Sequence, residues 1–221
     1  MGKLTVPCLA LITDRRLCQT LPLEEAVAQA VEGGANLVQL REKDLPAAAL
    51  LSLAERLRAV IAGRALFLVN DRLDVALACS ADGVHLPERG LPVAVARHLA
   101  GDGFIVGRSV HSVTEAVRAR DEGADYVQVG TIFASRSHPD QPPAGLVLLK
   151  AAAAVLSLPT GEAGIPILAV GGVTAANVGD VLRAGASGAA VISAILAGLS
   201  PREAARGLAQ AMAAVAAKAR P

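Results

Sequence analysis

Eight short apolar runs recur along the chain, each closing on polar residues and each separated from the next by a stretch with helical spacing. They are Cys8–Thr13, Asn36–Arg41, Ala65–Asn70, Gly83–Leu86, Phe104–Ser109, Tyr126–Gly130, Pro166–Val170 and Gly188–Ile192. Near-continuous apolar character over so few residues suits strands covered on both faces, as in a parallel sheet. Between them, Leu23–Val31, Ala47–Ile61, Val113–Glu122 and Asn177–Ala184 carry apolar positions at the period of an amphipathic helix. Local signals mark several boundaries. Ser112 followed by Glu115 fits a capping box, the serine oxygen accepting from a free amide while the glutamate reaches back. Ser200, Pro201 and Glu203 repeat the pattern, with proline at the first helical position, where its missing N–H costs nothing. The last helix then runs Pro201–Lys218. Glu32-Gly-Gly-Ala-Asn, Glu122-Gly-Ala-Asp and Arg183-Ala-Gly-Ala-Ser each end a helix and lead into a strand, glycine serving as a left-handed stop.

Strands that alternate with helices pair in parallel through right-handed crossovers. Eight such units in 221 residues predict one (β/α)8 TIM barrel, an α/β fold spanning residues 1–221, with an open doubly wound sheet as the competing topology. Hydrophobic residues make up 53% of the chain and charged residues 19%, enough apolar material for a large core. With no Trp, one Tyr and a net charge of +1, the chain lacks the stacking aromatics and basic excess of a nucleic-acid surface. Cys8, Cys18 and Cys79 are odd in number and show no Cys-x-x-Cys spacing, which argues against structural disulfides or a thiolate metal site. No long apolar segment precedes Asp14, Arg15 and Arg16, and no apolar span reaches about 18 residues. The expectation is a cytoplasmic protein without a membrane or nucleic-acid partner; self-association into a homo-oligomer stays open.

In such a barrel, chemistry gathers at the carboxyl ends of the strands. Gly171-Gly172 after the seventh strand lets backbone amides approach an anion without side-chain interference, and Ser193 after the eighth can open a short helix whose free N–H groups point at the same place. This end is read as a phosphate site. A second anion site is suggested by Arg41, Lys43 and Asn70 with Asp71. Gln39 and Arg41 share a strand face, and two cations with an amide donor suit a diphosphate. The carboxylate of Asp71 makes sense there as a ligand for Mg2+, which uses one or two carboxylates plus phosphate oxygens. The plainer alternative is that Arg41, Glu42, Lys43 and Asp71 pair with one another at the barrel rim. His138, in a serine-rich loop, can donate to a phosphate. His85 and His111 are candidates for hydrogen-bonding support or proton transfer, and His98 belongs on the outer surface. No serine or cysteine has evident histidine and carboxylate support, so nucleophilic catalysis is not favoured.

These residues, in this order, resemble the thiamine phosphate synthase family and its relative, the thiazole tautomerase family. The resemblance covers nearly the whole chain through Leu11-Ile-Thr-Asp14, Val38-Gln-Leu-Arg-Glu-Lys43, Val69-Asn-Asp-Arg72, Ala81-Asp-Gly-Val-His-Leu86, Gly107-Arg-Ser-Val-His-Ser112, Gly123-Ala-Asp-Tyr126, Ala169-Val-Gly-Gly172 and Val191-Ile-Ser-Ala-Ile195. It implies a transferase of thiamine biosynthesis that joins an aminopyrimidine methyl diphosphate to a thiazole phosphate, with Mg2+ assisting loss of diphosphate. On that resemblance Arg41, Lys43 and Asn70 match diphosphate binders, and Asp71 matches a metal ligand. Gln39 and Ser109 match residues near the pyrimidine and the leaving group, so Arg41, Lys43 and Ser109 are the catalytic candidates. Ser135 and Ser137 stand where the synthases carry threonines, and Gly172, Ile192 and Ser193 match the thiazole phosphate end. Three departures stand out. Pro87-Glu-Arg-Gly90 puts glycine where the synthases place a second metal aspartate, which leaves Glu88 as a substitute by a different route. His138 replaces a lysine on the diphosphate. The runs around His85 and Gly107 look more like the tautomerase branch, although Thr131 stands where that branch has its histidine. The alternatives are therefore a tautomerase, with His85 or His138 as base, or a non-catalytic binder of thiazole or thiamine phosphate.

Overall fold

Along β1 (Cys8–Ile12), Cys8, Ala10 and Ile12 point to one apolar cluster while Leu9 and Leu11 join another. That period of two is the signature of a strand buried on both sides, and it repeats around the molecule. The computed structural model describes residues 4–135, 142–156 and 164–218. Its strands β1, β2 (Leu37–Leu40), β3 (Leu66–Asn70), β4 (Gly83–Leu86), β5 (Ile105–Val110), β6 (Tyr126–Val129), β7 (Ile167–Val170) and β8 (Gly188–Val191) are all parallel and pair in chain order. β8 returns to β1, with Cys8 opposite Gly188 and Leu11 opposite Val191, so the sheet closes as a barrel and the open doubly wound alternative is excluded. Strand ends differ from the sequence reading by at most one residue. Thr13, Arg41 and Gly130 lie just past the last ladder pairs, where the chain turns outward.

Outside the barrel lie α1 (Leu23–Glu32), α2 (Ala47–Ile61), α3 (Leu73–Ala78), α4 (Val93–Ala100), α5 (Val113–Asp121), α6 (Gly145–Leu156), α7 (Val178–Arg183), the short α8 (Ser193–Leu196) and α9 (Pro201–Lys218). Their apolar faces pack on the outward residues of the strands, as Val27 and Ala30 of α1 and Leu57 and Ile61 of α2 show. Both serine caps form as the sequence reads, the Glu203 amide donating to Ser200 Oγ at 3.3 Å, but neither glutamate reaches back, the Glu203 carboxylate pairing with Arg206. The amide of Glu115 donates to Ser112 Oγ at 3.2 Å, but the Glu115 carboxylate takes the amide of His111 rather than that of Ser112. No helix among the described residues is long and apolar enough to cross a membrane.

The amino end of the barrel is tied by a device that occurs four times. Gly34, Ser80, Gly123 and Gly185 adopt positive φ at a helix end, and each is followed by alanine and a polar residue. Those polar residues, Asn36, Asp82, Asp125 and Ser187, each accept from a backbone amide of the preceding strand: Leu9, Phe67, Val106 and Ile167. Their own amides donate back to the same four residues' carbonyls at 2.8–3.1 Å. The sequence shows three of these motifs through their glycines; Ser80, at φ 52, disguises the fourth.

Two members carry a charge. Asp82 Oδ2 takes the Phe67 amide at 2.7 Å and Asp125 Oδ2 the Val106 amide at 2.7 Å. Asp82→Ala and Asp125→Ala are each expected to cost about 2 kcal/mol, because a buried amide loses its only side-chain acceptor. Urea unfolding checks this, and a loss below about 0.5 kcal/mol in both would rule the device out as a source of stability.

Candidate active site

The inward phase of each strand is apolar at the amino end and polar at the carboxyl end. Leu37 is followed two residues on by Gln39 and then Arg41; Leu68 by Asn70; Gly83 by His85; Ile105 by Gly107 and Ser109; Tyr126 by Gln128. The alternation therefore delivers these polar side chains to one cavity of about 700 Å³ at the carboxyl face. Gln39, Arg41, Lys43, Asn70, Asp71 and Ser109 line one part of it, and Ser135, Gly171, Gly172, Ile192 and Ser193 line another. Ser137 and His138 lie outside the described residues. Asp71 sits at φ 64 immediately after β3, and its amide donates to the carbonyl of His85.

Arg41 and Lys43 do not pair with the neighbouring carboxylates. Glu42, almost fully buried, turns to Arg15, which donates to it at 2.8 Å and reaches both oxygens of Asp44 at 2.7 and 2.6 Å. Arg15 was not visible as a functional residue in the sequence, since its partners lie 27 and 29 positions away. Its effect is to take the carboxylates flanking Lys43 out of reach. Among the described residues neither Arg41 nor Lys43 has a carboxylate oxygen within 4 Å, and the charge of Arg41 beside Lys43 pushes the lysine pKa below its ordinary value, with burial adding to it. Burial likewise lowers Arg41, opposed by the charge of Asp14. Two adjacent cations that no carboxylate pairs directly are a receptive arrangement for an anion. Arg89 extends the basic lining, and among the described residues Asp71 and Glu88 are the carboxylates of the cavity.

Behind this rim runs a line of buried hydrogen bonds. Gln128 Nε2 donates to Gln39 Oε1 at 2.7 Å, and Gln39 Nε2 donates to Asn70 Oδ1 at 3.1 Å. His85 Nδ1 lies 2.9 Å from the Tyr126 hydroxyl and Nε2 lies 2.8 Å from Ser109 Oγ. Burial, with the charges of Arg108 and Arg41, pushes the His85 pKa down to about 3, and burial raises that of Tyr126. Both rings are neutral near neutral pH. Tyr126 and Gln128 escaped the sequence reading because a tyrosine and a glutamine in an apolar run look like core; the period of two placing them in line with Gly130 was the available signal. His111 is bound through Nδ1 to the carbonyl of Gly130, and its Nε2 is 3.7 Å from Glu88. Arg108 pins the loop carrying Glu88 by donating to the carbonyls of Glu88 and Leu91. His98 is exposed on α4.

At the other end, Gly171 and Gly172 take φ 95 and 64. A Cβ on Gly172 would fall 2.5 Å from the carbonyl oxygen of Ala134, so glycine is required by both the turn and the close approach of the β6 loop. Ser193 opens α8 beside them, as the sequence suggested. Among the described residues, no three His, Cys, Asp or Glu side chains converge as a metal cluster. The carboxylate of Asp71 makes no hydrogen bond among the described residues, and it suits Mg2+ only in company with oxygens from a ligand.

The chain is similar to known proteins along nearly its whole length. Over 214 residues the chain is 46% identical to the thiamine-phosphate synthase of Methanoculleus marisnigri, covering 96% of this chain and 98% of that one. It is 43% identical to the corresponding protein of Roseiflexus castenholzii over 199 residues, 89% and 84% of the two chains. The solved thiamine phosphate pyrophosphorylase of Pyrococcus furiosus superposes with a TM-score of 0.83 at 37% identity, covering 94% of this chain and 96% of that one. The sequence pattern described as thiamine monophosphate synthase matches residues 9–195, and the chain belongs to that family.

Proposed function

We propose that the chain joins an aminopyrimidine methyl diphosphate to the ring nitrogen of a thiazole phosphate, as a thiamine phosphate synthase does, breaking the carbon–oxygen bond to diphosphate and forming a carbon–nitrogen bond. The observation that carries the reading is the unpaired Arg41–Lys43 couple in the same cavity as the Gly171-Gly172 turn and Ser193. Two anion-binding ends in one cavity fit two substrates that each carry phosphate. Arg41, Lys43 and the amide of Asn70 bind the diphosphate and stabilise the charge that grows on it as it leaves. Ser109 and Gln39 border the pyrimidine, and Ser135, Gly171, Gly172, Ile192 and Ser193 hold the thiazole phosphate so that its nitrogen faces the reacting carbon. Ser137 and His138 are assigned to the same anions. Asp71, with Glu88 on the same cavity wall, is the residue that would hold Mg2+, which would supply further charge neutralisation at the departing diphosphate.

A tautomerase requires a base, and His85 is a poor one. Its ring is fully enclosed, occupied at both nitrogens and held neutral far below the usual histidine range. The purified protein is expected to release diphosphate only when both precursors and Mg2+ are present, as a coupled assay would show. Binding of thiazole phosphate without any release would remove the synthase reading and leave a phosphate-binding barrel.

A further inference from the structure

We infer that Tyr126, His85 and Gln128 are positioning residues that hold two neutral hydrogen-bond donors, the Ser109 hydroxyl and the Asn70 amide, toward the anionic leaving group. The identity of that anion rests on the synthase reading; the hydrogen-bond directions do not.

The directions follow from counting protons. Gln128 Nε2 has two hydrogens. One goes to Gln39 Oε1, 2.7 Å away. On the first arm Gln39 passes its own amide hydrogen to Asn70 Oδ1, which leaves Asn70 Nδ2 free to donate into the cavity. On the second arm His85 Nδ1 is the one hydrogen-bond partner of the buried Tyr126 hydroxyl among the described residues, so the hydroxyl hydrogen has no other acceptor and is donated to it. The ring then carries its proton on Nε2 and donates to Ser109 Oγ, 2.8 Å away. With that lone pair engaged, the hydroxyl hydrogen of Ser109 turns to the cavity that the residue lines. Gln128 thus sets the Asn70 outlet and Tyr126 the Ser109 outlet as donors. A neutral ring suits the role, because donor direction then stays the same across the working pH range.

The barrel also makes room for this line. A Cβ on Gly107 would fall 2.2 Å from the Tyr126 ring, so glycine at this inward position of β5 is what admits the phenol. A tyrosine needed only for filling would not place its hydroxyl 2.9 Å from an imidazole that is itself 2.8 Å from Ser109.

The test is proton-detected nitrogen NMR of histidine-labelled protein, with the His85 signals assigned by their loss in His85→Gln. The expected result is a neutral ring protonated at Nε2; protonation at Nδ1 overturns the inference. In Tyr126→Phe the fixed tautomer is expected to be lost and kcat to fall about tenfold, with KM for the pyrimidine diphosphate nearly unchanged. A Tyr126→Phe enzyme with wild-type kcat and an unaltered His85 tautomer overturns it as well. The wild-type spectrum decides the matter even if the variants fold poorly. Absence of diphosphate release by wild-type protein would remove the synthase reading alone.

Discussion

Lys43→Ala is expected to lower kcat/KM for the pyrimidine diphosphate by about 10²–10³-fold, while thiazole phosphate affinity stays within about threefold. The reason lies in what surrounds the ammonium group. Arg15 holds Glu42 and Asp44, so Lys43 is left beside Arg41 with no carboxylate oxygen within 4 Å among the described residues, and mutual repulsion already lowers its pKa. That repulsion is relieved only when an anion arrives, and it is relieved most when the anion carries its greatest charge, as the departing diphosphate does. Binding energy that appears chiefly in the transition state changes kcat rather than ground-state affinity. The thiazole phosphate end, built on Gly171, Gly172 and Ser193, uses none of these groups. Steady-state kinetics with calorimetry of thiazole phosphate binding would check the split. An equal loss in both quantities would mean that Lys43 serves the whole cavity and not one substrate. Lys43→Arg tests the finer point, since a planar fork keeps the charge but cannot take the place of a compact ammonium.

The strands and the cavity residues were legible because both depend on periodicity along a short stretch. Cys8, Ala10 and Ile12 alternate with Leu9 and Leu11, and the same alternation carries Leu37 to Gln39 and Arg41. Positive φ at Gly34, Gly123 and Gly185 was readable from residue type, whereas Ser80 in the same backbone position was not. The relations that escaped join residues far apart in the chain. Arg15 and Glu42 are 27 positions apart, His85 and Tyr126 are 41 apart, and Gln39 and Gln128 are 89 apart. Closure brings them together, and nothing in the spacing of one strand announces which inward residue of another will face it. The reading of Arg41, Glu42, Lys43 and Asp71 as a mutual ion-pair cluster fails for the same reason. The true partner of Glu42 sits in the turn after β1, where Arg15 lies across from the end of β2.

Two glycine-to-alanine changes should move stability in opposite directions, and the geometry fixes each sign. Gly188 lies where β8 meets β1 and closes the barrel, opposite Cys8. A Cβ there would stand 2.1 Å from the carbonyl oxygen of Cys8 and 2.8 Å from its backbone carbon and nitrogen. None of those atoms can swing away as a side chain would, so the strands must part, or the ladder must slip, at the pairing that makes the sheet continuous. Gly188→Ala is expected to cost about 3 kcal/mol, at the upper end for an added methyl in a packed core. Gly207 offers the contrast. It lies inside α9, and a Cβ there would meet nothing within 4 Å. Gly207→Ala only restricts the unfolded chain and improves helix propensity, so it is expected to stabilise by about 0.5–1 kcal/mol. Urea denaturation of both variants gives the comparison directly. If Gly188→Ala were neutral, β1 and β8 would have to tolerate separation without loss, and the barrel's closure would contribute far less to its stability than the contact implies.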